Sequence, residues 1–228
     1  MSWMRLVVAL VPLLLASPFA AATPPSPLFA SPVYRSASFA NLPQWRRVLQ
    51  RIRKEWPVYE ACMANSQRCP GSAARAWSRL LASLRGASPR QQLEAVDRFG
   101  NRKRYGSDRR IYGRSDYWAT PLEFLARSGD CEDYAIFKYV SLRLLGVPAE
   151  RMRLFVVDDT RRRIAHAVLA VELGRETYLL DNLAPAPRPA AATGHYRPYY
   201  AVNEEAKWVY PRSYAFRSLD TSRLKPAR

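Results

Sequence analysis

Apolar residues recur at helical spacing as far as Leu145 and alternate from Arg153 onward, with Gly146 and Pro148 standing at the change. A chain patterned in this way lays down helices first and an antiparallel sheet afterwards, which is an α+β arrangement. Trp45, Val48, Leu49, Ile52 and Trp56 predict a helix over Gln44 to Tyr59 that Pro57 brings to its end. A second helix is expected from Ser72 to Leu84, burying Trp77, Leu80, Leu81 and Leu84. A third begins at Ser88-Pro89, with proline at the first helical position and Leu93, Val96 and Phe99 on one side. The stretch from Asn101 to Ser115 is polar and basic and reads as an exposed loop, and Leu122 to Ala126 as a short helix. From Cys131 a helix is predicted through Leu145, with Ala135, Ile136, Tyr139, Leu142 and Leu145 as its apolar stripe. Arg153 to Val157, Ile164 to Glu172 and Glu176 to Leu180 read as strands, and Tyr199 to Tyr210 supplies one or two more.

The first 22 residues have the layout of a secretory signal: Arg5, an apolar run from Leu6 to Leu15, and small residues ending in Ala20-Ala21-Ala22. The alternative is a membrane anchor, but Pro12 and Pro18 interrupt the run and its apolar part is short for a bilayer. Residues 23–43, rich in Pro, Ser and Ala, read as a flexible or loosely draped arm, 44–215 as one domain and 216–228 as a tail. The processed protein is therefore expected in the periplasm and not as an integral membrane protein. The whole chain's formal charge of +17, of which the leader carries only Arg5, speeds encounter with anything acidic. The basic residues are scattered and not gathered on one periodic face, so acidic proteins, anionic headgroups or wall polymers fit an exported chain better than nucleic acid.

Three cysteines fall into two kinds. Cys62 and Cys69 bracket a short polar loop in a chain bound for an oxidising compartment, which predicts a disulfide; a metal site there lacks a second Cys pair or a nearby His. Cys131 is left unpaired, at the start of a predicted helix whose free N–H groups favour a thiolate and face a developing oxyanion. An ordinary thiol, with a pKa of about 8.5, is mostly protonated at neutral pH and needs a base. Only His166 and His195 are available. His166 is the one ionisable side chain in the apolar strand Ile164 to Val171, a setting that usually marks a packed core residue, but a thiol awaiting a base favours the catalytic reading. His195 sits in a turn-rich stretch. Asp181, at the end of the following strand, is placed to orient the base, and its alternative is a turn former beside Asn182.

The segments Asp116-Tyr-Trp-Ala-Thr-Pro-Leu-Glu-Phe-Leu125, Gly129-Asp-Cys-Glu-Asp-Tyr-Ala-Ile136, His166-Ala-Val-Leu169 and Leu180-Asp-Asn182 resemble the bacterial transglutaminase-like cysteine proteinases, the family that includes LapG-type periplasmic proteases. The resemblance covers about residues 44 to 212. It implies a papain-like fold and a Cys-His-Asp triad falling on Cys131, His166 and Asp181. For the LapG branch it also implies calcium dependence and cleavage of a large surface adhesin, linked to biofilm control, under an inner-membrane cyclic-di-GMP receptor. Asp130 and Glu132 match the calcium ligands of that branch. Charge gives calcium a separate reason, since carboxylates flanking a thiolate repel it and a hard cation cancels that repulsion. Asp133 reads as a helix cap, while Asp158 and Asp159 are conceivable further ligands. Trp118 fits a wall of the cleft or a plain core residue equally well. The Cys62/Cys69 pair and the Pro-rich entry depart from the pattern of the best-known LapG proteins and suggest a different branch of the family.

Two other readings use the same residues differently: an amide transferase, and a non-catalytic basic module that adheres to the envelope. A peptide incubated with a labelled amine separates hydrolysis from transfer, because incorporation without cleavage marks the transferase.

Overall fold

The computed structural model describes residues 34–210, so the expected leader, most of the arm and the C-terminal tail lie outside the described residues. Six α-helices and seven strands are found among them: β1 Tyr34–Ser36, α1 Pro43–Ala64, α2 Gly71–Ser83, α3 Pro89–Asn101, α4 Asp108–Tyr112, α5 Pro121–Arg127 and α6 Cys131–Leu144, then β2 Met152–Asp159, β3 Ile164–Leu173, β4 Glu176–Leu180, β5 Arg188–Pro189, β6 Tyr196–Val202 and β7 Lys207–Val209. The strands form one antiparallel sheet in the order β1-β7-β6-β2-β3-β4-β5. The fold is α+β, as the order of periodicities predicts. One apolar cluster joins the helices to Leu154, Leu169 and Val202 on the sheet, and a second, with Phe155, Val168 and Tyr196, forms around the alternate strand positions.

Helix ends follow local chemistry. Ser88 accepts a hydrogen bond from the Gln91 backbone while the Gln91 side chain returns to Ser88, and Thr120 with Glu123 repeats this capping box on α5. Four findings differ from the sequence expectations. Helix α1 runs through Pro57 to Ala64. An interior proline costs about 3 kcal/mol, but beyond it Tyr59 and Cys62 are fully buried and Ser78 Oγ donates to the Cys62 carbonyl at 2.7 Å, which offsets the loss. The basic segment 101–115 is not all exposed loop: it contains α4, and its first residue Asp108 is buried. Tyr34–Ser36, within the stretch read as an arm, pair with β7 along its free edge. Helix α6 has no solvent face, since every residue from Cys131 to Leu142 is buried.

Cys62 and Cys69 are joined by a disulfide that clips the last turn of α1 to the chain two residues before α2. Closing so short a loop contributes roughly 2–3 kcal/mol. Cys62→Ser/Cys69→Ser is therefore expected to lower the unfolding free energy in urea by about that amount without abolishing the fold; an unchanged midpoint would show the bridge to be energetically idle.

Candidate active site

The start of α6 is fixed by Asp133. Its Oδ1 accepts from the Ala119 N–H at 2.6 Å and its Oδ2 from the Asp130 N–H at 3.2 Å, so it braces the helix entry as the sequence suggested. A Cβ on Gly129 would lie 2.0 Å from Asp133 Oδ2, which is why only glycine fits two residues before Cys131. The Gly129 carbonyl accepts from the Gly106 N–H at 3.0 Å, tying the basic segment to this turn. Trp118 packs edge-on to Trp45 at 6.0 Å and donates from Nε1 to Asp116 Oδ1 at 3.0 Å, so it is mostly buried.

Cys131 is the free cysteine among the described residues and is buried. Its Sγ–H donates to Glu132 Oε2 at 3.2 Å. Burial, followed by the charges of Glu132 and Asp130, pushes the thiol well above its ordinary value, and a hydrogen bond from the Ala167 backbone N–H works against them. The helix terminus alone does not stabilise a thiolate against this burial. That N–H belongs to the peptide unit joining His166 to Ala167, so the sulfur lies against the chain segment that carries the imidazole.

His166, on β3 opposite Val157, presents Nε2 to Asp181 Oδ1 at 2.9 Å. Asp181 follows the last residue of β4 and is held on both oxygens. Oδ1 also accepts from the Leu183 N–H at 2.8 Å, and Oδ2 accepts from Arg188 Nη2 at 2.8 Å and the Tyr196 hydroxyl at 2.6 Å. Burial works to raise its carboxyl, but the His166, Tyr196 and Leu183 hydrogen bonds outweigh it and hold the group well below the usual carboxylate range. With Nε2 given to Asp181, Nδ1 is the ring nitrogen this contact leaves uncommitted. His195 stands apart from this pairing: its carbonyl accepts from Thr160 and its ring lies 4.3 Å from that of Tyr196.

Buried acids gather beside the thiol. Carboxylate oxygens of Asp108, Asp116 and Glu132 lie within 4.8 Å of one another, as do those of Asp108, Asp130 and Asp133. Burial and then the Asp133 charge raise Glu132 to about 8, and burial and then the Asp130 charge raise Asp108 to about 7. Asp108 Oδ1, Asp130 Oδ1 and Glu132 Oε1 are buried with no hydrogen-bond partner. Each group thus includes two residues with an orphaned oxygen, a hard donor set that suits a calcium ion, which takes several oxygen ligands at about 2.3–2.6 Å. Asp108 and Asp116 were missed in the sequence because they are distant from Cys131 and, for Asp108, embedded in arginines. Asp158 and Asp159 do not join the group: Asp159 instead accepts from the Arg161 and Arg162 backbone and pairs with the Arg162 side chain at 2.8 Å, closing the β2–β3 turn.

The sequence profile of the bacterial transglutaminase-like cysteine proteinases matches residues 51–213, a span that includes all of these groups. The chain belongs to that family. It is a cysteine peptidase, and its substrate is accordingly a protein. Calcium-bound LapG of Legionella pneumophila is 34% identical to this proteinase, with a TM-score of 0.58 over 66% of this chain and 87% of its own. EGTA-treated Legionella LapG is 32% identical, with a TM-score of 0.58 over 72% of this chain and 95% of its own. No curated protein sequence matches the proteinase. Its disulfide agrees with a site outside the cytoplasm, and no described helix is long and apolar enough to cross a membrane.

A depressed carboxylate stabilises the fold at pH values above its unfolded pKa of about 3.9, and that contribution disappears as pH falls toward the folded value. Asp181→Asn is expected to lower stability at pH 7 by roughly 2–3 kcal/mol, with the difference from the wild type shrinking below about pH 4. Urea titrations of both proteins across pH 2 to 7 would check this, and a gap independent of pH would contradict it.

Proposed function

We propose that this proteinase is an exported endopeptidase in which Cys131 is the nucleophile, His166 the general base and Asp181 the residue that orients His166. The observation that carries the reading is the 2.9 Å contact between His166 Nε2 and Asp181, with the Cys131 sulfur against the peptide that follows His166. His166 takes the thiol proton at Nδ1 and the sulfur attacks the amide carbon. Backbone N–H groups at the start of α6 meet the oxyanion. The C–N bond then breaks as His166 returns the proton to the leaving amine. Water, deprotonated by the same imidazole, cleaves the resulting thioester and frees the thiol. Asp181 keeps the imidazole in one tautomer and stabilises its charged form through both proton transfers.

Asp108, Asp130 and Glu132 would hold calcium, with Asp116 at hand, and the ion would offset the carboxylate charge that opposes a thiolate at Cys131. Support comes from their unpartnered oxygens and from a relative described as calcium-bound and EGTA-treated. The proposed setting is the periplasm after removal of the leader. The proposed substrate is a large surface adhesin whose release affects biofilm, with an inner-membrane cyclic-di-GMP receptor as regulator; these rest on the LapG resemblance.

Comparing new protein N-termini in the exported proteomes of wild-type and Cys131→Ala cells tests the peptidase reading, with loss of specific termini expected in the variant. Identical proteomes, or an amine adduct without cleavage, would overturn it. On the purified protein, a calcium chelator is expected to lower the melting temperature by several degrees and calcium to restore it, and indifference to both would discard the metal.

A further inference from the structure

Lysine is rarely enclosed completely, yet the Lys138 side chain is 0% exposed and the Asp97 side chain paired with it is 1% exposed. Lys138 lies two turns along α6 from Cys131. Its ammonium sits 2.7 Å from Asp97 Oδ1 on α3. Asp97 Oδ2 accepts from Asn101 Nδ2 at 3.2 Å, one turn further along α3. The same amide nitrogen reaches the Asp181 carbonyl at 3.1 Å and the Ala184 carbonyl at 3.4 Å. Those two residues close the turn that presents the Asp181 carboxylate, since the Ala184 N–H donates to the Asp181 carbonyl at 3.3 Å.

A continuous polar path therefore runs from the helix that begins with Cys131 to the turn that begins at Asp181. We infer that Lys138, Asp97 and Asn101 act as a positioning unit, setting the Asp181 turn, and through it His166, against the start of α6. The inference rests on the reading of Asp181 as partner of the base. A buried ion pair is commonly no more stabilising than apolar residues of the same volume, so stability gives little reason to keep one here. Direction does: apolar packing lets a turn slide, whereas the planar Asn101 amide, itself oriented by Asp97, points its N–H groups along fixed lines. A shift of about 1 Å at a catalytic group lowers rates by up to a hundredfold.

Asn101 is only half-buried, so Asn101→Ala is the first variant to examine. The chain has two histidines, and His166 is the one bonded to a carboxylate, so 15N-histidine labelling of the calcium-loaded protein gives an imidazole N–H assignable to the Asp181 contact. In Asn101→Ala that proton is expected to exchange with water at least tenfold faster, and iodoacetamide alkylation of Cys131 to slow about tenfold, with a near-native melting temperature. Asp97→Leu/Lys138→Met, which removes both charges and leaves neither unpaired, is expected to fold and to show the same two changes. Unchanged exchange and alkylation in either folded variant would overturn the positioning role. His166→Ala serves as the separate control: if it alkylates like the wild type, the triad reading fails, while faster exchange in Asn101→Ala still upholds the tether.

Discussion

Everything at this site follows from the enclosure of α6. A helix buried on all sides from Cys131 to Leu142 has no water to satisfy its polar side chains, so each must find a partner inside the protein. Most do. Asp133 takes two backbone N–H groups, Lys138 takes Asp97, and Ser141 accepts from Trp77 Nε1 at 2.9 Å while donating to the Phe137 carbonyl at 2.7 Å. Glu132 at the first turn and Asp130 just before it each keep an oxygen without a hydrogen-bond partner, and further along the Lys138 ammonium has its ion pair but no hydrogen bond and the Tyr139 hydroxyl has no hydrogen bond. The two unmet carboxylate oxygens fall beside the thiol, where a cation would meet them.

The two sides of the thiol are electrostatic opposites. Toward β4 and β5, Asp181 is surrounded by donors from His166, Leu183, Arg188 and Tyr196, so its negative charge is fully compensated and its geometry fixed. Toward α4 and α5, Asp108, Asp130 and Glu132 each keep an oxygen without a donor, with Asp116 close to Asp108 and Glu132. The first arrangement is stable as it stands. The second is stable only if its protons are retained or a cation replaces them, which is why Asp108 and Glu132 are raised toward neutrality while Asp181 is depressed. A thiol set between these groups takes its character from whichever compensation the acid side receives.

The sequence was most informative where a residue type has few uses. One unpaired cysteine, two histidines and the change of periodicity near Gly146 led to Cys131, His166, Asp181 and the α+β order, because each signal is local or leaves few alternatives. What stayed hidden depends on tertiary burial. Pro57 looked like a helix end because propensity knows nothing of Tyr59 and Cys62 packing beyond it. Asp108 looked like one acid in a basic loop because nothing local says that α4 turns it inward under the Tyr117 N–H. Lys138 lies off the apolar stripe predicted for this helix, and only the packing of α3 against α6 makes it internal.

Arg51 indicates how the remaining segment is kept in place. From α1 it donates to the Trp118 carbonyl, the Tyr117 hydroxyl and Glu123, while its guanidinium lies 4.6 Å from the Tyr117 ring. Gln44, two turns earlier on the same helix, holds Asp116 Oδ2. These contacts fix Asp116 to Ala119 from outside, and the Ala119 N–H in turn fixes Asp133 from inside. The acids beside Cys131 are thus carried on α4, on the strapped segment before α5 and on α6, three elements each secured by different partners. Like charges would drive those elements apart, so the anchoring of the Asp116 segment by α1 and the protons retained on Asp108 and Glu132 together keep the acid group close, preorganised for a cation.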